Sequence, residues 1–126
     1  MEKNHDVWVV GKDAGGTNSV VPVYEELIRR GVRALLIANG KAKELLRGRS
    51  DVFHCDTADE LLGVKRPPRV LVTSMCSGGG VGRDLVPHLR PRDTKSIAVQ
   101  DYWGGYMGPG SPERHAWQQL TYRPDY

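Results

Sequence analysis

Five short apolar runs, each separated from the next by a segment of helical period, constrain this chain more than any single motif. The runs are residues 6–12 (DVWVVGK), 32–38 (VRALLIA), 52–55, 70–74 and 95–100 (KSIAVQ). Several are rich in β-branched residues and lack polar alternation, as expected of strands buried on both faces. After the first run, Val20, Val23, Tyr24, Leu27 and Ile28 recur at spacings of three and four, the period of an amphipathic helix. Thr17, Asn18 or Ser19 is the expected cap, because Pro22 is harmless only within a first turn. Gly31, following Arg29 and Arg30, ends this helix. Further helices are expected over residues 41–47, opened by Asn39-Gly40, over 58–62 with Thr57 as cap, and over 83–89, which Pro87 shortens or kinks.

Strands alternating with helices through short loops specify a parallel sheet covered on both faces. The expected fold is a three-layer, Rossmann-like α/β domain over residues 1–101. Its five strands run in the order 3-2-1-4-5, with a switch point between strands 1 and 4. The length of 126 residues suits one domain of this kind. At that size no disulfide or metal staple is needed. Cys55 and Cys76 lack the CxxC spacing of zinc or redox sites. In this strand order they stand roughly 14 Å apart and remain thiols.

Residues 102–126 differ in kind. They hold Tyr102, Trp103, Tyr106, Trp117, Tyr122 and Tyr126 but no long apolar run, and a short helix is expected from Ser111-Pro112-Glu113. This aromatic-rich extension reads either as a lead into a further strand or domain, or as a cover for the sheet edge beside strand 5.

A hydrophobic fraction of 39% with 26% charged residues is ordinary for a globular chain. The net charge of +3 is too small to imply a nucleic-acid partner, and the basic pairs Arg29-Arg30, Lys65-Arg66 and Arg90/Arg92 read as solvated loops and helix ends. No stretch approaches the ~18 apolar residues of a membrane span. The N-terminal segment is polar, with no leader pattern, so a cytoplasmic location is expected.

In open parallel sheets, ligands sit beyond the carboxyl ends of the strands at the switch point. Strand 1 delivers Lys12, Asp13, Gly15, Gly16 and Thr17 to that place. Strand 4 delivers Ser74, Cys76, Ser77, Gly78, Gly79 and Gly80, and strand 5 delivers Asp101 with Trp103 behind it. Glycine loops opening onto helix N-termini can cradle a phosphate, sulfate or carboxylate. The same glycines also suit a tight strand-to-helix turn and close helix–sheet packing. The candidate ligand-binding residues are therefore Lys12, Gly15, Gly16, Thr17, Ser77, Gly78, Gly79, Gly80 and Arg83. Asp13 and Asp101 are the candidate acid/base groups, with helix capping or loop hydrogen bonding as the alternative. No metal or other cofactor is expected. His5, His54, His88 and His115 show no ligand spacing.

Two nucleotide motifs fail narrowly. Gly11 and Gly16 have the P-loop spacing, but Thr17 stands where lysine is required. Gly78 and Gly80 begin a dinucleotide fingerprint, but Arg83 occupies the third glycine's place. Asp13-Ala14-Gly15-Gly16-Thr17 is similar to the phosphate loop of sugar kinases, where it joins two antiparallel strands; here a helical segment follows.

The run VWVVGKDAGGTNSVVPVYEELIRRGV resembles the opening of the N-terminal domain of GT-B-type enzymes, the glycosyltransferases and UDP-N-acetylglucosamine 2-epimerase-like proteins. PPRVLVTSMCSGGGVGRDLV and KSIAVQDYWG are similar to the fourth and fifth strand regions of that domain. The resemblance spans residues 6 to about 103 and rests on overall pattern, with no diagnostic motif. It implies a two-domain enzyme with its active site in the interdomain cleft, the N-terminal domain facing the acceptor and the other holding most of a nucleotide-sugar donor. The matching positions are the loops 12–17 and 77–83. The implied ligand is a nucleotide-sugar or phosphorylated small molecule. By this resemblance the chain is expected to be one domain of a longer enzyme, and the isolated domain is expected to be inactive. The alternative is a stand-alone, non-catalytic module that binds a small anion, a protein partner or a second copy.

Overall fold

The computed structural model describes residues 4–74, 80–99 and 125–126. Five strands, β1 (Val7–Gly11), β2 (Ala34–Ala38), β3 (Val52–His54), β4 (Val70–Ser74) and β5 (Lys95–Val99), form one sheet. All pairings are parallel, in the order β3-β2-β1-β4-β5. Val7 stands opposite both Ala34 and Val70, and Val70 opposite Lys95, so the central strands start level. The α/β architecture and strand order expected from the alternating pattern are those found.

Helices α1 (Ala14–Arg29), α2 (Ala42–Leu45), α3 (Ala58–Val64) and α4 (Val81–Leu89) complete three layers. The period-2 alternation of β1 divides the core. Trp8 and Val10 face one side, with Leu35, Ile37 and Leu71, and meet Leu61 of α3 and Val81, Leu85 and Leu89 of α4. Val7 and Val9 face the other, with Leu36 and Val72, and meet Val20 and Tyr24 of α1 and Ala42 of α2. Every residue of β1 and β2 is buried, which is why their sequences read as continuous apolar runs. Tyr24 Oη also donates to Asp51 at 3.1 Å, and the Arg49 fork on Asp51 holds that carboxyl below the usual range. This polar cluster fastens α1 to the start of β3.

Two expectations are corrected. Helix α1 begins at Ala14, three residues before the first expected cap, and Asp13 caps it. Pro22 therefore lies inside the helix. Proline leaves the carbonyl four residues earlier without its helical donor. That residue is Asn18, which is exposed, as is Pro22, so the lost bond falls on the solvent-facing side of the helix. Helix α4 likewise begins at Val81, two residues earlier than its pattern suggested. Thr57 caps α3 as expected, its Oγ1 accepting from Glu60 N at 3.4 Å. Cys55 is a buried free thiol. Cys76, the helix expected from Ser111 and the aromatic residues 102–122 lie outside the described residues.

Candidate functional site

The strand order reverses between β1 and β4, and the helices that follow them, α1 and α4, pack on opposite faces of the sheet, which makes their carboxyl ends a topological switch point. Lys12 and Asp13 follow β1, Asn39 and Gly40 follow β2, and Gly80 precedes α4. Lys12 threads between the two loop glycines. A Cβ on Gly80 would stand 2.8 Å from Lys12 Cδ and 3.0 Å from Asn39 Oδ1, and one on Gly40 would stand 3.2 Å from Lys12 Cγ. Gly80 also has φ of 133°, a backbone conformation that side-chain-bearing residues rarely adopt. The lysine stem is thus packed between glycines of two other loops, Gly40 after β2 and Gly80 before α4.

Asp13 is extended at φ −93° and accepts Gly16 N–H on Oδ1 at 2.8 Å, while its carbonyl accepts Thr17 N–H at 2.9 Å. One carboxylate oxygen therefore caps α1, and Oδ2 has no partner among the described residues. Gly16 serves close packing: a Cβ there would overlap Ser74 Oγ and lie 2.6 Å from Ser74 Cβ. Thr17 is 2% exposed, packs against Gly11, and its Oγ1 has no hydrogen-bond partner among the described residues. Gly15 is exposed at the first turn. The helix start is consequently filled by the chain's own carboxylate, and an anion there would compete with Asp13.

Arg83 lies in the first turn of α4 beside Asp84, with Nε 3.8 Å from Oδ1, and its side chain is 23% exposed. Ser77, Gly78, Gly79 and Asp101 lie outside the described residues. The sugar-kinase likeness of residues 13–17 stops at the sequence, since the segment joins a strand to a helix in a parallel sheet.

Asn39 is the anchoring position beside Lys12 and Gly80 that sequence reasoning missed. It is 7% exposed. Its Oδ1 accepts Val81 N–H at 3.2 Å and its Nδ2 donates to the Cys55 carbonyl at 3.3 Å, so both partners fix the amide's orientation. Gly80, the N-cap of α4, has no side chain to offer, and Asn39 supplies the cap from 42 residues away. Its place in an Asn-Gly pair after a strand signals a turn, and nothing local points to Val81.

Cys55 is 1% exposed, and burial pushes its thiol up to about 11, which leaves it an inert core residue. No cluster of three or more His, Cys, Asp or Glu that could hold a metal occurs among the described residues, and His54 is exposed on the edge strand. No helix among the described residues is long and apolar enough to cross a membrane. No protein-family model, curated protein or solved structure matches the chain.

Proposed function

We propose that the chain is the acceptor-side domain of a GT-B-like nucleotide-sugar enzyme, binding a phosphate- or sugar-containing ligand in the crevice between β1 and β4. The observation that carries this reading is the placement of Asp13, with one carboxylate oxygen unused in capping, next to Lys12 at the reversal of strand order. Asp13 caps α1 with one oxygen and keeps the other for a ligand hydroxyl, while Lys12 brings positive charge to the same loop. A carboxylate beside a sugar hydroxyl is placed to accept its proton during attack on an activated sugar. The resemblance of the β1, β4 and β5 regions to that enzyme class points the same way.

The test is amide chemical-shift mapping of the chain with UDP, UDP-N-acetylglucosamine and glucose 1-phosphate. Shifts clustered at Lys12–Thr17 and Gly80–Arg83 are expected. No perturbation there by any of the three would overturn the site. Asp13→Asn keeps a capping oxygen and removes the charge. In the native enzyme it should lower turnover about a hundredfold or more while leaving the melting temperature in place. Unchanged turnover removes Asp13 from the reaction.

A further inference from the structure

The opposite edge of the sheet carries a second concentration of charge. Because all strands are parallel, Val70 and Lys95 open β4 and β5 side by side at the amino edge, directly paired. A cavity of about 510 Å³ lies there, lined by Pro67, Pro68, Arg69, Arg92, Asp93 and Lys95. Its walls are fixed by the backbone. Thr94, 4% exposed, donates Oγ1 to the Pro68 carbonyl at 2.6 Å. Lys95 N–H donates to the Arg69 carbonyl at 3.0 Å, and Arg69 N–H to the Asp6 carbonyl at 2.8 Å. Pro67, Pro68 and Pro91 stiffen both segments further.

The charge balance of this cavity differs from the rest of the molecule. Several guanidiniums elsewhere face carboxylates: Arg29 and Arg30 meet Glu26, Arg33 meets Asp6, and Arg49 meets Asp51. Arg66, Arg69, Arg92 and Lys95 are exposed and form no ion pair among the described residues. Residues 66–69 and 92–95 thus carry four of the 18 basic residues. Asp93, held in the left-handed region at φ 62°, is the one carboxylate in those two segments. Rigid backbone thus sets Arg69, Arg92 and Lys95 around one cavity with Asp93 as the one carboxylate among its lining residues, and an anion would relieve their repulsion.

We propose that this cavity is a second ligand site, taking the phosphate group of a phosphorylated small molecule, separate from the crevice at the carboxyl edge. Its volume falls within the range of small-molecule pockets. Two planar guanidiniums and an ammonium at one mouth match the oxygens of a mono- or diphosphate, which arginine binds bidentately.

The experiment is calorimetric titration of the chain with inorganic pyrophosphate at low salt, with amide shift mapping alongside. Saturable binding is expected, shifting the amides of Arg69, Arg92 and Lys95. Arg69→Ala or Arg92→Ala should each weaken it about tenfold. Both side chains are exposed, and circular dichroism confirms that the variants remain folded. Absence of saturable binding overturns the proposal, as does binding indifferent to both arginine variants. Loss of binding on Lys12→Ala instead would assign the pyrophosphate to the carboxyl-edge crevice and equally overturn the second site. Binding to phosphatidylglycerol vesicles without binding to pyrophosphate would overturn it in favour of a membrane-facing patch.

Discussion

Asn39 joins three parts of the molecule through one amide: the end of β2 that carries it, the Cys55 carbonyl beyond β3, and the first N–H of α4. All of these groups are buried, so an unmade bond exposes none of them to water. Replacing Asn39 by alanine leaves a donor and an acceptor unsatisfied, at about 1–3 kcal/mol for each group. Urea denaturation should show that loss as a lower midpoint with an unchanged slope. Asn39→Asp keeps the acceptor for Val81 but sets a carboxylate against the Cys55 carbonyl, so its deficit should shrink as pH falls and the acid is protonated. An alanine variant with the wild-type midpoint would mean that both groups find other partners. The neighbouring case of Asp13 shows how far local chemistry carries. Its acid side chain ahead of a glycine pair is a good N-cap, yet Pro22 pointed to later positions because an exposed proline mid-helix is tolerated only when water reaches the orphaned carbonyl.

Both long helices reach β4 through a glycine. Gly16 of α1 lies on Ser74, and Gly82 of α4 lies on Thr73. Successive residues of a strand point to opposite faces, so these two contacts clamp β4 from both sides. A Cβ on Gly82 would overlap Thr73 Oγ1 and stand 2.9 Å from Thr73 Cβ, leaving the helix no room without moving off the sheet. Gly82→Ala should therefore destabilise by about 1–3 kcal/mol, even though alanine is the better helix former. Adding Thr73→Ala removes the nearest obstructing atom and should recover part of the loss. A double-mutant cycle measures that coupling, and strictly additive effects would mean that α4 shifts bodily instead. The helices themselves were visible in the spacing of Val20, Tyr24 and Leu27. What their glycines do was not, because Gly82 answers to Thr73 on the preceding strand and Gly16 to Ser74, far away in the chain, contacts that only the packed sheet creates. A glycine loop that reads as an anion cradle and one that permits close packing have the same sequence.

The sheet order was readable because right-handed crossovers and the alternation of strands with helices leave few arrangements. A cover for the edge beside strand 5 was one of two readings of the aromatic extension, but which residues pair there is decided by chain that returns from elsewhere. Asp125 and Tyr126 lie against β5. Tyr126 N–H donates to the Ser96 carbonyl at 2.9 Å and its carbonyl accepts Ala98 N–H at 2.8 Å, two bonds that bracket Ile97 as in a parallel pair. Asp125 Oδ2 accepts Ser96 N–H at 2.8 Å, while Asp125 N–H donates to Ser96 Oγ at 3.1 Å. Three consecutive edge groups of β5 are thereby occupied, which denies them to a strand of another molecule. Asp125→Ala withdraws the carboxylate from Ser96 N–H and loosens the register of Tyr126. Hydrogen exchange at the Ser96 amide should accelerate about tenfold or more, the value of a charge-assisted bond. Sedimentation should then show association that grows with concentration, as β5 edges meet. Faster exchange without association would locate the protection against pairing in Tyr126 alone. Unchanged exchange would mean that its two backbone bonds hold the edge without the aspartate.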